Sequence, residues 1–379
     1  MTQSFHATLE PGNRRLTLAT GDHQHQFAAL WLRENAPDEQ TRDPQTGQRL
    51  IDPAELPLDL NITHLESDAN RLELAFSDGH HTIFDIEHLL AQDDAEGDAL
   101  DDRLLWDSQL DTIPESTFDA AIADDQALGV MLEQLRCFGF VRVQGVPTTM
   151  DGMQALIDRI GPLRRTNWGG IADVRSVANA YDLTMTQRGL EPHTDNPYRD
   201  PIPGYIWLHC LCNASEGGDS TLVDGYMAAR RLAERDPAAY ACLTQTPVHF
   251  RYRDDSAHLE SEGPLIELNF QNQPIRVRYN SRTECVPALA PDHLEQYYAA
   301  RRAFRELITS EELTVKLKLA EGEMLIMDNY RLFHGRTAYQ LAGGERHMRQ
   351  GYVDRDTTES RRRTLRRRFA TQSADEVSA

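Results

Sequence analysis

His193 and Asp195, two residues apart near mid-chain, and His334 far downstream act together only in a fold that carries the distant segment back to the first. Alone the H-x-D pair means little, because with fourteen histidines in the chain about one such pair arises by chance. Its flanks raise its value. The run Glu191-Pro192-His193-Thr194-Asp195-Asn196-Pro197-Tyr198 is followed by the apolar segment Tyr205-Ile206-Trp207-Leu208-His209-Cys210-Leu211, a buried strand by pattern, bounded by Pro203 and Gly204. A second strand-like apolar run, beginning at Met324, ends on His334, and Arg346 opens a third strand candidate that ends at Val353. Two imidazoles and a carboxylate are the residue set of a facial triad, which holds Fe(II) on one side and leaves the opposite positions open for a co-substrate and dioxygen. A guanidinium fork such as that of Arg346 is the natural partner of a dicarboxylate such as 2-oxoglutarate.

Four segments carry a wider resemblance: Trp31-Leu32-Arg33-Glu34-Asn35, the His193 segment, Gly217-Gly218-Asp219-Ser220-Thr221-Leu222-Val223-Asp224-Gly225, and Asp328-Asn329-Tyr330-Arg331-Leu332-Phe333-His334-Gly335-Arg336. Together the chain resembles the gamma-butyrobetaine dioxygenase family, within the Fe(II)/2-oxoglutarate oxygenases of the taurine dioxygenase type. The resemblance runs from Trp31 to the C-terminal helix. It implies that His193, Asp195 and His334 bind Fe(II), that 2-oxoglutarate places its far carboxylate on Arg346, and that O2 is the other co-substrate. The implied reaction is decarboxylation of 2-oxoglutarate to succinate, coupled to hydroxylation of a substrate carbon.

With 379 residues, 40% of them hydrophobic, the chain buries a large core and is expected to form two domains. The N-terminus leads straight into polar sequence and no apolar run approaches the roughly 20 residues that span a bilayer, so a cytoplasmic location without membrane contact is expected. A net charge of -21 argues against a nucleic-acid partner and suits a cationic substrate, although solubility alone accounts for such an excess. The basic run Arg361-Arg362-Arg363-Thr364-Leu365-Arg366-Arg367-Arg368 is read as a solvated helix face. The five cysteines form no regular framework and read as reduced thiols, with Cys210-x-Cys212 too isolated for a zinc site.

Residues 1–97 read as a small β-rich N-terminal domain, with strand-like pieces such as Leu72-Glu73-Leu74-Ala75-Phe76 and a turn at Ser77-Asp78-Gly79. The acidic stretch from Ala91 to Asp98 is the linker candidate. Residues 98–379 read as the catalytic domain, where a helical pattern from Asp125 to Leu135 feeds a strand from Phe138 to Val143. The fold class is mostly β with flanking helices: a double-stranded β-helix, or jelly-roll, beside the small β-rich module. In the resembled family that module commonly holds a structural zinc through three cysteines and a histidine. Here Ala36-Pro37-Asp38-Glu39-Gln40-Thr41-Arg42 contains no cysteine, although His80 or His81 stands where the histidine would lie. Without thiolates no closed zinc site is expected, and the loop is expected to be held by packing and by contacts of Arg33, Asp38 or Arg42.

A trimethylammonium group has no N–H to donate and is recognised on aromatic faces. The resemblance implies a box of Trp168, Tyr181 and Tyr352, with a further aromatic replaced near Ala172 and Tyr198 as a compensating candidate. Asn179, Asn280 and Arg282 are the candidates for the anionic end of such a substrate. The family's asparagine pair is not cleanly matched, which leaves two readings open: gamma-butyrobetaine, or (2-trimethylammonioethyl)phosphonate, whose dianion suits an arginine better than an asparagine. A non-catalytic jelly-roll binding protein and a metal-dependent hydrolase are the rival classes; the first would not need the triad, and the second would gain nothing from Arg346. The resemblance also suggests a homodimer.

Overall fold

The computed structural model describes residues 5–21, 23–93, 103–176, 185–341 and 344–378. The chain separates into two compact units, Met1–Ala99 and Leu100–Ala379. The first holds two three-stranded antiparallel sheets, β1 (Phe5–Leu9), β2 (Arg15–Thr20) and β3 (His23–Ala28), then β4 (Ile62–Ser67), β5 (Arg71–Phe76) and β6 (His81–Asp85). Alternation decides the faces: Leu72, Leu74 and Phe76 of β5 are buried and join Leu16, Leu18, Phe27, Ile62 and Phe84 in one core, while Arg71 stays in solvent.

The loop after the short helix Ala29–Glu34 is held by charge and hydrogen bonds. Arg33 Nε donates to Asp78 Oδ2 at 2.8 Å and its Nη1 to Thr41 Oγ1 at 3.0 Å. Asp38 Oδ2 lies 2.8 Å from His80 Nε2, and Asp38 Oδ1 accepts the backbone N–H groups of Gln40 and Thr41. Arg42 Nη2 reaches Asn35 Oδ1 at 3.0 Å. Burial works to raise the Asp38 carboxyl, but hydrogen bonds from His80 and Thr82 outweigh it and hold it below the usual carboxylate range. Arg33, Thr41 and His80 are all buried, so the sequence's three named residues form an ionic clasp whose partners are Asp78, Thr41, His80 and Asn35.

The second unit is built on two sheets. A six-stranded sheet runs in the order β7 (Glu115–Thr117), β8 (Phe140–Gln144), β14 (Met324–Asp328), β11 (Tyr205–Asn213), β16 (Arg346–Val353), β9 (Ala172–Arg175). A four-stranded sheet runs β10 (Leu190–His193), β15 (Leu332–Arg336), β12 (Ser220–Asp224), β13 (Val315–Leu317). All pairings are antiparallel except β7 with β8. The chain is thus mostly β with several helices. The continuous apolar run of β14 has no alternation because both its faces are covered. Met324 and Ile326 pack with Val141, Tyr205, Trp207 and the helix residues Leu128, Leu132, Leu135 and Leu365. Leu325 and Met327 pack with Phe140, Ile206, Cys210 and Met348, and with Leu222, Val315, Leu317 and Leu332 of the four-stranded sheet. The far face of that second sheet, Val223 and Phe333, is covered by Tyr226, Leu232, Tyr297 and Phe304 of the helices Gly225–Arg235 and Pro291–Ile308.

Three boundaries differ from the sequence reading, each for a local reason. The helix begins at Asp125 as expected, capped by the Asp124 carboxylate on Ala127 N, but continues to Phe138, because the terminating Gly139 sits at φ 79 in the left-handed region. The strand therefore starts at Phe140. The run from Met324 to His334 is two strands, broken at 329–331, and the halves belong to different sheets. The basic run is not a uniformly solvated face. Within the helix Arg355–Ser378, Arg362 is 2% exposed and paired with Glu133 and Glu359, and Arg361 binds Asp125, which docks this helix on the Asp125–Phe138 helix. Arg363, Arg366 and Arg367 remain exposed. All five cysteines are free thiols, and burial pushes the Cys210 thiol up to about 12. No helix among the described residues is long and apolar enough to cross a membrane.

Candidate active site

Period 2 along three strands places the site. On β16 the residues Arg346, Met348, Gln350 and Tyr352 share one face, and Met348 and Tyr352 pack into the core between the two sheets. On β15 Leu332 and His334 point the same way, and His334 lies opposite Leu222 on one side and His193 on the other. The His193 and His334 rings are 4.4 Å apart between centroids, and Asp195 Oδ1 lies 3.5 Å from His193 Nε2 and 3.6 Å from His334 Nε2. The three ligand atoms fall within 4.8 Å of one another, among the described residues the one cluster of three or more His, Cys, Asp or Glu able to hold a metal. For metal–ligand bonds of roughly 2.1 Å, adjacent ligands of an octahedral ion sit about 3 Å apart, so the set closes on one ion with a small adjustment.

Each ligand is oriented from behind. His193 Nδ1 lies 2.9 Å from the Glu191 carbonyl, which fixes that nitrogen as the N–H and leaves the Nε2 lone pair facing Asp195. Asp195 is held at its backbone by Asn329, whose Oδ1 accepts from Asp195 N at 2.8 Å while its Nδ2 donates to the carbonyls of Asp195 and Pro203. The other carboxylate oxygen, Oδ2, accepts from Gln350 Nε2 at 2.7 Å and from the Tyr352 hydroxyl at 2.8 Å. Oδ1 is left for an ion. Burial works to raise the Asp195 carboxyl, but His334 and His193 outweigh it and keep it ionised far below the usual range. Burial, together with His193, pushes His334 down to about 4, so the imidazole is neutral near pH 7, the form a metal requires.

Arg346 lies on the same strand face and is 4% exposed. Its Nε and Nη1 are buried with no hydrogen-bond partner, and its guanidinium stands 5.0 Å from the Tyr339 ring. A buried cation with orphan donors is costly unless an anion completes it, and a carboxylate fits the need. Gly218 shows why the Gly217-Gly218 pair matters: at φ +75, a Cβ there would meet Tyr339 Cβ at 3.2 Å and Arg346 Nε at 3.3 Å.

The substrate candidates are more scattered. The Tyr352 hydroxyl is spent on Asp195, so this residue helps hold a ligand whatever its ring touches. Asn280 is buried, with Nδ2 on the Thr194 carbonyl at 3.1 Å and Oδ1 on Arg282 N at 3.2 Å, so both ends of its amide are engaged. Arg282 is exposed and within electrostatic reach of His334. Trp168 is 40% exposed and meets Tyr252 edge to face at 4.9 Å; Tyr252 in turn stacks on Tyr198 at 5.3 Å. Asn179 and Tyr181 lie outside the described residues. Sequence reading missed Gln350, Asn329 and Tyr252. The first was findable, since it sits on the Arg346 face at a spacing of four in a strand pattern.

Comparison with known proteins agrees with this geometry. Residues 108–352 match the family "Taurine catabolism dioxygenase TauD, TfdA family", and residues 7–90 match "Gamma-butyrobetaine hydroxylase-like, N-terminal". The chain is 32% identical to the gamma-butyrobetaine dioxygenase of Pseudomonas sp. (strain AK-1) over 90% of this chain and 91% of the relative. It is 26% identical to the mitochondrial trimethyllysine dioxygenase of Rattus norvegicus over 94% of this chain and 86% of the relative. Among solved structures, asparagine oxygenase superposes with a TM-score of 0.49 at 18% identity, covering 62% of this chain and 82% of that one. With the triad, the family match over residues 108–352 and the 32% identical relative in hand, the chain belongs to the TauD, TfdA dioxygenase family and is an Fe(II)/2-oxoglutarate-dependent dioxygenase.

Proposed function

We propose that the protein hydroxylates a small trimethylammonium compound, with gamma-butyrobetaine as the leading substrate. The observation that carries the substrate class is the Trp168, Tyr252 and Tyr198 cluster, which begins three residues beyond Asp195 and already receives a cation, the Arg199 guanidinium, 4.8 Å from the Trp168 ring. The relatives named for gamma-butyrobetaine and trimethyllysine support the same class. In this reading His193, Asp195 and His334 hold Fe(II), and Arg346 takes the far carboxylate of 2-oxoglutarate. The metal and its co-substrate supply the oxidising chemistry; the protein supplies orientation. Asn329, Gln350 and Tyr352 fix the Asp195 carboxylate, and the apolar core between the sheets keeps bulk water from the neighbouring ligands. The two packed sheets of the second unit are read as the jelly-roll of a catalytic domain spanning about residues 98–379, with residues 1–97 as a separate module and the protein acting as a homodimer.

A second reading has its own support. Asn280 is committed to the ligand segment, which leaves Arg282 as the candidate cation near His334 for the substrate's anionic end. A guanidinium favours a dianion, so (2-trimethylammonioethyl)phosphonate is the alternative substrate. Succinate release from Fe(II)-loaded protein and 2-oxoglutarate, with each compound in turn, separates the two. Stimulation by gamma-butyrobetaine supports the first reading, stimulation only by the phosphonate supports the second, and stimulation by neither overturns both substrate readings while leaving the oxygenase assignment standing.

A further inference from the structure

Arg199 occupies an unusual position for an arginine. Half-buried cations are ordinarily paired with carboxylates, yet among the described residues no carboxylate lies within ion-pair distance of this one. Its guanidinium leans on aromatic faces, 4.8 Å from the Trp168 ring and 5.9 Å from that of Tyr198. Tyr252 closes the group, edge-on to Trp168 and stacked on Tyr198. One end of the guanidinium donates to Asn167 Oδ1, and its Nε is buried without a partner. A weakly hydrated cation on several ring faces is the arrangement that a trimethylammonium ligand also seeks.

The cluster is joined to the metal site through short links. Tyr198 donates to Asn196 Oδ1 at 2.6 Å, one residue beyond Asp195. On the Trp168 side, Arg164 N pairs with the carbonyl of Tyr352, whose hydroxyl holds Asp195. A cation seated on these rings is therefore tethered to the segments that carry the candidate metal ligand.

We propose that Arg199 is an internal occupant of the aromatic cluster, which a cationic ligand must displace from the Trp168 face in order to bind. The inference rests on the trimethylammonium reading and deepens it: the protein's own guanidinium and the ligand compete for one seat. The arginine thereby tunes affinity downward, excludes weakly binding cations, and keeps the rings in a bound-like arrangement while no ligand is present.

Trp168 provides the readout, since Trp106 and Trp207 are buried and Trp168 is the exposed indole in this unit. Tetramethylammonium, a cation with no acidic group, is titrated against the full-length, metal-free protein at fixed ionic strength and followed by tryptophan fluorescence, with Trp168→Phe as the signal control and gamma-butyrobetaine as a second probe. In Arg199→Gln, the expected result is about five-fold tighter binding than in the wild type, the scale of one cation–π contact. Asn167→Ala leaves the arginine in place but removes its anchor, and is expected to shift affinity the same way. Wild-type binding combined with equal or weaker binding in both variants overturns the proposal and makes Arg199 a clamp, with the trimethylammonium reading intact. No binding of either probe to any form removes that reading and the proposal with it.

Discussion

Asp195 is the residue on which the site turns, and its two oxygens have separate duties. Oδ1 faces the two imidazoles, while Oδ2 is held by Gln350 and Tyr352. Gln350→Leu or Tyr352→Phe is expected to weaken Fe(II) binding by about ten-fold each, in the range seen when the groups behind metal ligands are removed, as measured by metal titration of the apoprotein. His193→Ala or Asp195→Ala is expected to abolish turnover with the circular dichroism spectrum unchanged; near-normal activity in either would refute the ligand assignment. Arg346→Met is expected to raise the 2-oxoglutarate KM by about 100-fold, the scale of a lost buried charge pair, while Fe(II) affinity in the absence of co-substrate holds. That His193, Asp195 and His334 come together and that Arg346 is buried on a neighbouring strand was legible in the sequence, because each sits in a distinctive local run. Gln350 and Asn329 were not, since a lone amide carries no signature until the fold shows which carboxylate it faces. Asn280 is a case of the same kind: its residue type suits an anion, and only the fold shows that its amide also holds Thr194 and Arg282.

At the scale of elements, strands were read well where an apolar run was bounded by Gly or Pro, as in β11, and less well where a sheet changed beneath an unbroken run. Residues 329–331 look continuous with β14 in sequence, yet Asn329 leaves the ladder to lock Asp195 and Arg331 turns into a buried pair with Asp224 at 2.7 Å. That break lets one apolar stretch serve two sheets and delivers His334 to the second. In the N-terminal unit the Asp38–His80 contact replaces packing that polar residues alone cannot supply. Asp38→Ala is expected to destabilise that unit by about 1–3 kcal/mol, because His80 would be left buried without its partner; urea denaturation followed by Trp31 fluorescence would register it. Protein purified without added metal is expected to carry no tightly held zinc in elemental analysis, and one zinc per chain would contradict the expectation that this unit folds without metal.

Across the whole molecule, buried histidines give the fold an acid limit. Burial pushes His209 down to about 4 from an unfolded value near 6.5. The unfolded chain therefore takes up a proton at a pH where the native state does not, so stability falls as pH drops through the window from about 6.5 to 4. Unfolding free energies from urea titrations at pH 7 and pH 5 are expected to differ by up to about 2 kcal/mol in wild type and by less in His209→Gln. A net charge of -21 adds repulsion among carboxylates at neutral pH that weakens as they protonate, an opposing trend that the variant leaves in place. The strand β16 has a consequence of another kind. It is flanked on both edges, by β11 and β9, and carries Arg346 at one end and Gln350 and Tyr352 at the other. In the proposed reading metal and co-substrate both engage side chains of this one strand, and whichever arrives first spares the second part of the entropy of ordering them. By thermodynamic reciprocity, Fe(II) should tighten 2-oxoglutarate binding by the same factor as 2-oxoglutarate tightens Fe(II), beyond what their direct chelation contributes.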